Sequence, residues 1–186
     1  MKTEMLDIEA TILDALTVER PVDDLLISVS NMRARMAQEN GTKNLWNVKH
    51  VRGGLVDCEF IAQYLQLRHA YTHPEILNTG TVSAYRKLAV AGLLPEVTAV
   101  ELISATRLWR RLQGLLRLTF DGPHDPASFS PPLQQLLAEA GRKTNFEALK
   151  THLRQTAEMV YYQFRTVIEV PAETCRAALK TTQNKD

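Results

Sequence analysis

The sequence predicts an all-α protein, an antiparallel up-and-down helical bundle with additional short helices. Apolar residues recur at three- and four-residue steps along almost the whole chain, and no segment alternates as a half-buried strand does. Proline and glycine interrupt this pattern so that helices of bundle length are joined by short connections. With 186 residues and 45% hydrophobic content, a single helical domain over residues 1–186 can bury its own core.

The first four helices follow from their apolar stripes and end signals. A first helix is predicted from the stripe Met5, Ile8, Ile12 and Leu16. Pro21 suits the first position of a second helix, whose predicted buried stripe is Leu25, Val29, Met32 and Met36. A third helix is predicted from about Leu55 to Tyr71, with Pro74 after its end. The fourth is short and ends at Gly92, a predicted left-handed C-cap.

The second half of the chain is predicted to contain one long helix and several shorter ones. Pro95 opens the long helix, and the sequence "DGPHDP" stops it. The C-terminal helices are predicted over about 131–180, the first of them ending at Gly141. Thr144 and Glu147 form a predicted capping box for the next helix, and Pro171 is predicted to break it before a last short helix.

Charge and composition exclude several classes of partner and compartment. A formal net charge of +1 gives no field that would favour nucleic acid or an anionic membrane as the main partner. No apolar run approaches the roughly 20 residues that cross a bilayer, and the N-terminus does not resemble a signal peptide. Cys58 and Cys175 have no metal-ligand spacing. We therefore expect a cytoplasmic protein with both thiols reduced.

Catalytic and metal-binding motifs are not found in the sequence. It contains no Gly-x-x-x-x-Gly-Lys-Ser/Thr loop, no His-Glu-x-x-His and no Gly-x-Ser-x-Gly, so no catalytic residue is predicted. His69 and His73 have a spacing that can hold a metal on a helix, but Pro74 follows directly and no third ligand lies nearby. No metal site is predicted.

A basic cluster surrounds Trp109 in the long helix and is formed by Arg107, Arg110, Arg111 and Arg117. Helical geometry places Arg107 and Arg111 on one face and Arg110 and Arg117 on a neighbouring face. We expect these arginines to be solvated or paired with acids of adjacent helices, and an anion site is the alternative.

The sequence "NVKHVRGGLVDCEF" suggests a phosphate-binding turn at a helix start. Backbone amides there, with cations beside them, can hold a phosphate, so the candidate nucleotide-binding residues are Lys49, Arg52, Gly53 and Gly54. A purely structural turn is the alternative, with a positive φ at Gly54 as one reason for the glycine. Asp57 and Glu59 follow in the first helical turn, and pairing of a half-buried Asp57 with a basic side chain is the structural interpretation.

The same region carries a resemblance to a known family. "GGLVDCEFIAQYLQLRHA", followed by "HPEIL" and "LAVAGLL", resembles the helical domain of the glutamine synthetase adenylyltransferase (glutamate-ammonia-ligase adenylyltransferase) family, to which PII uridylyltransferases are related. The resemblance covers about residues 22–120, and its signature is matched at Lys49, Gly53, Gly54, Leu55, Asp57, Glu59, Phe60 and Gln63. The sequence departs from the family pattern at Asn47, usually Asp, and at Val51, usually Gly.

The resemblance implies a domain that works beside an enzyme rather than as one. The family's nucleotidyltransferase domain, which uses ATP and magnesium, carries a Gly-Ser pair and an Asp-x-Asp, and neither occurs in this chain. The resemblance thus implies a non-catalytic helical domain without a cofactor of its own, which packs against a nucleotidyltransferase domain in cis or in trans. It would help to bind glutamine synthetase or a PII-type signalling protein in the control of nitrogen assimilation.

The resemblance also implies roles for individual residues. Lys49 and Arg52 would face the neighbouring active-site cleft, while Gly53 and Gly54 allow close backbone approach. A structural or interface role is implied for Asp57, Glu59, Phe60, Gln63 and Arg68. Two alternatives remain open at this point: a free-standing helical adaptor that binds a partner protein through an exposed apolar groove, and a nucleotide sensor that acts alone through residues 49–54.

Overall fold

Helices account for the regular structure of the chain. A computed structural model describes residues 2–119 and 125–183, and within these ranges there is no strand, which confirms the all-α prediction. The α-helices are α1 (Lys2–Leu16), α2 (Val22–Asn40), α3 (Leu55–His69), α4 (Thr81–Val90), α5 (Glu96–Thr119), α6 (Pro131–Ala140), α7 (Phe146–Phe164) and α8 (Val170–Gln183). Short 3₁₀ helices span Pro74–Ile76 and Pro126–Ser128, and a π-helical segment spans Arg165–Glu169.

Helix α3 lies at the centre of the packing. It contacts α2, α4, α5 and α7, while α2 also packs on α8, and α6 packs on α5 and α7. Cys58, Ile61 and Tyr64 of α3 are fully buried, and Tyr85 of α4 donates a hydrogen bond to the carbonyl of Cys58 at 2.5 Å. Because the family signature lies on α3 and on the loop before it, the core positions that signature directly.

The buried face of α2 agrees with the predicted stripe at Leu25 and Val29, which pack partly buried against the core, and differs from it at Met32. Leu26, Ser30 and Arg33 are buried, whereas Met32 is 55% exposed. The difference arises because Arg33 forms an ion pair with the buried carboxylate of Asp57 in α3. This polar contact sets the rotation of α2 about its own axis, and apolar periodicity alone does not detect it.

The predicted apolar stripe of α1 forms a helix but remains largely exposed. Ile8, Ile12 and Leu13 are 59%, 53% and 47% exposed. The C-terminal part of α1 borders an open apolar groove of about 570 Å³, whose other walls come from α3 and from residues 77–81. Among the residues that the structure covers, α1 thus offers apolar surface that the rest of the bundle does not bury.

The structure confirms the predicted end of α4 and shifts the predicted start of α7 by one residue. Gly92 has φ 72°, which confirms the left-handed conformation predicted after α4. The capping-box prediction for α7 is wrong by one residue, because the side chain of Asn145, and not Thr144, accepts a hydrogen bond from the amide of Ala148 at 2.8 Å. With the helix starting one residue later, Glu147 pairs with Lys150 instead of reaching back.

The predicted break at Pro171 is also wrong, since α7 continues through the π-helical segment into α8. Val170, directly before the proline, has helical φ and ψ angles of −62° and −46°, and its amide donates to the carbonyl of Arg165. A proline ring crowds the carbonyl of the preceding α-helical turn. We attribute the uninterrupted helix to the wider π turn, which relieves that crowding.

The two thiols differ in environment, and this difference predicts their reactivity. Burial raises the pKa of Cys58 to about 12, and the nearby carboxylates of Asp57 and Glu59 add to the shift. Cys175 is partly accessible and donates a hydrogen bond to Asp23 at 3.2 Å. We expect a thiol reagent at pH 8 to label only Cys175 in the folded protein and both cysteines after unfolding, because the thiolate is the reactive form. Rapid labelling of a folded Cys175→Ser variant would contradict this assignment.

Candidate functional site

The loop that precedes α3, residues 41–54, is fixed to the bundle by aromatic packing. Trp46 is 3% exposed and stacks on Phe146 with ring centroids 5.0 Å apart. Phe129 meets the same indole edge-on at 5.1 Å. Val48 and Val51 are also buried, and Trp46 attaches the loop to the segment before α6 and to the first residue of α7. The loop is part of the core.

The backbone amides at the start of α3 are engaged within the chain. Leu55 and Val56 donate to the carbonyls of Val48 and Lys49 at 2.9 and 3.2 Å. Gly54 donates to the carbonyl of Val51 at 2.8 Å, and Gly53 donates to the carboxylate of Asp57 at 2.5 Å. The donors that a phosphate would need at this helix start are therefore paired with loop carbonyls and with an acidic side chain.

Asp57 is the centre of a buried polar network. It is fully buried, and its carboxylate accepts a hydrogen bond from Arg33 Nε at 2.5 Å and lies 3.4 Å from Arg52 Nη1. Arg33 itself is only 2% exposed. Buried charges need such pairing, because an unpaired charge in the interior is strongly destabilising. The carboxylate of Asp57 thus occupies the position where a bound anion would contact the backbone amide of Gly53 and the guanidinium groups of Arg33 and Arg52.

Arg52 is directed towards the C-terminal half of the chain. Its guanidinium lies 4.7 Å from the ring centroid of Tyr161 and 4.8 Å from that of Phe164. It also forms an ion pair with Glu169 of the π-helical segment. Stacking and pairing of this kind favour arginine over lysine. These contacts direct Arg52 away from Lys49, and its predicted position at a neighbouring cleft stays a prediction.

Glycine is required at positions 53 and 54 for different structural reasons. Gly53 has φ 76°, and a Cβ atom there would lie 1.8 Å from the carbonyl oxygen of Ala157 in α7. Gly54 has φ −82°, so a positive φ is not the reason for glycine at this position, whereas it is one at Gly53. A Cβ at Gly54 would still lie 2.6 Å from the carbonyl oxygen of Val48. Both glycines therefore permit close backbone approach within this domain.

Lys49 lies apart from the Asp57 network, at the rim of a small cavity. The cavity measures about 140 Å³, and the polar residues around it are Asn47, Lys49, His50, Gln113 and Arg117, which we call the Lys49 rim. Burial and the charges of Lys49 and Arg33 lower the pKa of His50, which keeps the imidazole neutral at pH 7. The rim is thus a basic surface carried by the loop and by α5.

The remaining signature residues point to different neighbours. The carboxylate of Glu59 lies 3.8 Å from Arg110 of α5, and Phe60 packs against the core. Gln63 lines the apolar groove beside α1, and Arg68 donates a hydrogen bond to the hydroxyl of Tyr64 at 3.0 Å. The sequence-predicted site residues therefore divide among the Asp57 network, the Lys49 rim and the outer faces of α3.

Some residues of these clusters were not assigned a role from the sequence. Arg33, in the sequence "NMRARM", is one of them. Its spacing from Leu26 and Ser30 places the three residues on one face of the helix, which is a detectable signal of a buried position. Glu169 and Tyr161 are others, and no local pattern marks them because their contacts join residues more than 100 positions apart.

The structure contains no metal cluster within the described residues, where no three His, Cys, Asp or Glu side chains are grouped suitably. His73 lies 3.1 Å from Glu75 instead of sharing a site with His69, whose pKa is lowered by burial. No described helix is long and apolar enough to cross a membrane.

The fold and the site define an all-α domain whose signature turn is closed by its own buried ion pairs. A family model described as GlnD PII-uridylyltransferase matches residues 26–168. The chain belongs to this family, as a helical domain of the glutamine synthetase adenylyltransferase kind.

Relatives from several bacteria carry the name bifunctional glutamine synthetase adenylyltransferase/adenylyl-removing enzyme. The Xanthobacter autotrophicus protein is 42% identical over 145 residues, which are 78% of this chain and 15% of the relative. The Bradyrhizobium diazoefficiens protein is 36% identical over 162 residues, 87% of this chain and 16% of the relative. A Bradyrhizobium sp. protein is 40% identical over 154 residues, 82% of this chain and 16% of the relative. The chain thus spans 15–16% of the length of these relatives.

Proposed function

We propose that this chain acts as a non-catalytic helical domain beside a nucleotidyltransferase domain, in cis or in trans. In this role it contributes to substrate or regulator binding in the control of nitrogen assimilation. The proposal rests on the separation of two groups of charged residues around residues 49–54. Asp57, Arg33 and Arg52 form the ion pairs that stabilise the turn, whereas Lys49 and Arg117 line the small cavity of the Lys49 rim.

The Lys49 rim is the edge that we assign to the neighbouring domain. A nucleotidyltransferase cleft that holds ATP and magnesium has carboxylates and phosphates, and a basic rim complements that charge. ATP and magnesium therefore belong to the neighbouring domain in this proposal. The relatives' names support glutamine synthetase as the protein on which the complete assembly acts, and the family model's description supports a PII-type protein as a regulator.

A binding assay with a separately produced nucleotidyltransferase domain of an adenylyltransferase tests this assignment. Reversing the rim charges with Lys49→Glu and Arg117→Glu should weaken the complex by about tenfold or more at low salt, since like charges would then face each other. The loss of affinity with added salt that the unaltered pair shows should be reduced or reversed, because salt screens repulsion as it screens attraction. Arg35→Glu with Arg86→Glu is the matched control, because both arginines are exposed and lie on α2 and α4 outside the rim. Equal weakening by both pairs would contradict a specific contact at the rim.

The isolated chain should be inactive in nucleotidyl transfer. With ATP, magnesium and glutamine synthetase it should transfer no adenylyl group, because the chemistry needs carboxylates that hold metal ions. At the turn of residues 49–54 it should bind ATP at most weakly and in a salt-sensitive manner, since the amides of Gly53–Val56 are already engaged. Calorimetry that gives a Kd for ATP below about 10 μM, abolished by Lys49→Ala, would show an independent nucleotide site.

A second candidate function, a free-standing adaptor, is favoured by the apolar groove between α1 and α3. Ile12, Leu13 and Leu67 are among the residues that line this groove of about 570 Å³. Exposed apolar grooves of this size commonly receive a partner segment. The binding assay separates the two candidates: loss of binding with Leu13→Glu, and none with the rim variants, would favour docking through the groove.

A further inference from the structure

A basic pocket lies between α5, the turn that joins α6 to α7, and α7. Its volume is about 290 Å³, and its polar lining consists of Ser104, Arg107, Arg111, Arg142, Lys143 and His152, which we call the basic pocket. Arg107 and Arg111 are one helical turn apart on the same face of α5. The other cations come from the turn and so approach this face from a different element. Four permanent positive charges therefore converge on one concave surface.

The charges of the basic pocket are not balanced by the pocket itself. No carboxylate contributes to its lining. Across residues 2–119 and 125–183, no ion pair involves Arg107, Arg111, Arg142 or Lys143. Arg110 on the adjacent face of α5 differs, since it contacts Glu59 and donates to the hydroxyl of Thr81 at 2.9 Å. The expectation that these arginines are solvated or paired with acids thus holds in both forms, since Arg110 is paired and Arg107 and Arg111 are exposed to solvent.

The turn between α6 and α7 has the backbone of a helix C-cap. Arg142 has φ 56° and is the only residue other than glycine with a positive φ among those that the structure describes. Its amide donates to the carbonyl of Glu139 at 2.9 Å, and the amide of Lys143 donates to the carbonyl of Ala138 at 2.8 Å, which is the hydrogen-bond pattern of a Schellman motif. This helix end fixes the backbone of Arg142 and Lys143 beside α5.

A purely structural explanation covers only part of the cluster. Arg142 and Lys143 follow the C-terminus of α6, where cations interact favourably with the helix dipole. That effect does not involve Arg107 and Arg111, which lie in the middle of α5. It also gives no reason for Ser104 and His152 to border the same cavity, each with a polar group suited to hydrogen bonding.

We propose that the basic pocket binds a diphosphate group, either as free pyrophosphate or as the phosphate tail of a nucleotide. Arginine forks bind phosphate oxygens in bidentate fashion, and four cations suit a ligand with several negative charges. The volume of about 290 Å³ is many times the roughly 10–15 Å³ that one water molecule requires in a cavity, and it leaves room for a diphosphate. This site shares no residue with the Lys49 rim and does not depend on the proposed function.

Calorimetry of the 186-residue chain with pyrophosphate tests the proposal, with orthophosphate and ADP as comparison ligands at constant ionic strength. We expect a pyrophosphate Kd on the order of 100 μM or tighter, and orthophosphate binding that is at least about tenfold weaker. Arg107→Gln with Arg111→Gln should weaken pyrophosphate binding by about 30-fold or more, since two charge-assisted contacts are lost. Weaker binding of ADP than of pyrophosphate would assign the free diphosphate, and ADP binding that is equal or tighter would assign the phosphate tail of a nucleotide.

The matched control is Arg35→Gln with Arg86→Gln, which removes the same charge from exposed positions on α2 and α4. This pair should leave the pyrophosphate Kd within about twofold, whereas a nonspecific field effect would weaken binding equally in both pairs. Circular dichroism establishes that each variant is folded, and chemical-shift changes of the His152 imidazole on adding pyrophosphate report binding independently. Absence of pyrophosphate binding to the unaltered chain, or equal effects of the two variant pairs, would overturn the proposal.

Discussion

Gly53→Ala is expected to destabilise the protein by about 3 kcal/mol or more, enough to leave a marginally stable domain largely unfolded. Two effects add at this position. The φ of 76° is unfavourable for an L-residue, and the new Cβ would lie 1.8 Å from the carbonyl oxygen of Ala157. Backbone atoms of a packed helix cannot move aside as a flexible side chain can, so α7 would be displaced from the loop. Urea denaturation followed by circular dichroism measures the loss.

Gly92→Ala separates the two effects. Gly92 has nearly the same φ, 72°, but a Cβ there would meet no atom within 4 Å. Its substitution should therefore cost only the conformational penalty of about 1 kcal/mol. If Gly53→Ala and Gly92→Ala had equal effects on the free energy of unfolding, the close approach to Ala157 would contribute nothing.

Asp57→Asn is expected to destabilise the protein by about 3–5 kcal/mol, the range for removing one partner of a buried ion pair. Asparagine has nearly the same shape, so the effect isolates the charge. Arg33, 2% exposed, would keep its positive charge without a counterion, and Arg52 would retain only Glu169. The predicted quantity is the free energy of unfolding from denaturant titration at neutral pH.

Glu59→Gln is the matched control for Asp57→Asn. Glu59 lies two residues further along α3, is 34% exposed, and has one distant partner, Arg110 at 3.8 Å. Exposed ion pairs of this kind contribute at most about 1 kcal/mol, so this variant should stay close to the unaltered protein. A loss below about 1 kcal/mol for Asp57→Asn would contradict the central role of the buried carboxylate.

The helices could be predicted from sequence because their apolar periodicity and end signals are local. Gly92, Pro95 and Pro131 each mark an end or a start that the structure confirms within a residue or two. The prediction at Pro171 is wrong because the response of a helix to proline depends on whether the preceding turn can widen. Helix propensities describe the preference of the proline itself and not the ability of the preceding turn to widen.

The candidate site was harder to predict than the fold because its geometry depends on long-range polar contacts. The sequence indicated that Asp57 pairs with a basic side chain, but not that the partner is Arg33 from a different helix. Periodicity placed Met32 on the buried face of α2, while the ion pair turns Arg33 inward instead. Charge convergence in the basic pocket likewise requires α6 and α7 to be folded against α5, which no spacing along the chain reveals.

The contact of Arg52 with Glu169 makes the family signature and the C-terminal helix one cooperative unit. The two residues are 117 positions apart, and α2 also packs along α8. Opening of α8 together with the π-helical segment would therefore remove a counterion from the loop and uncover one side of α2 at the same time. The signature region of residues 22–120 alone is not expected to be stable by itself, and the family match likewise extends to residue 168. In native-state hydrogen exchange, the loop and the last helix should open together rather than as separate subglobal units.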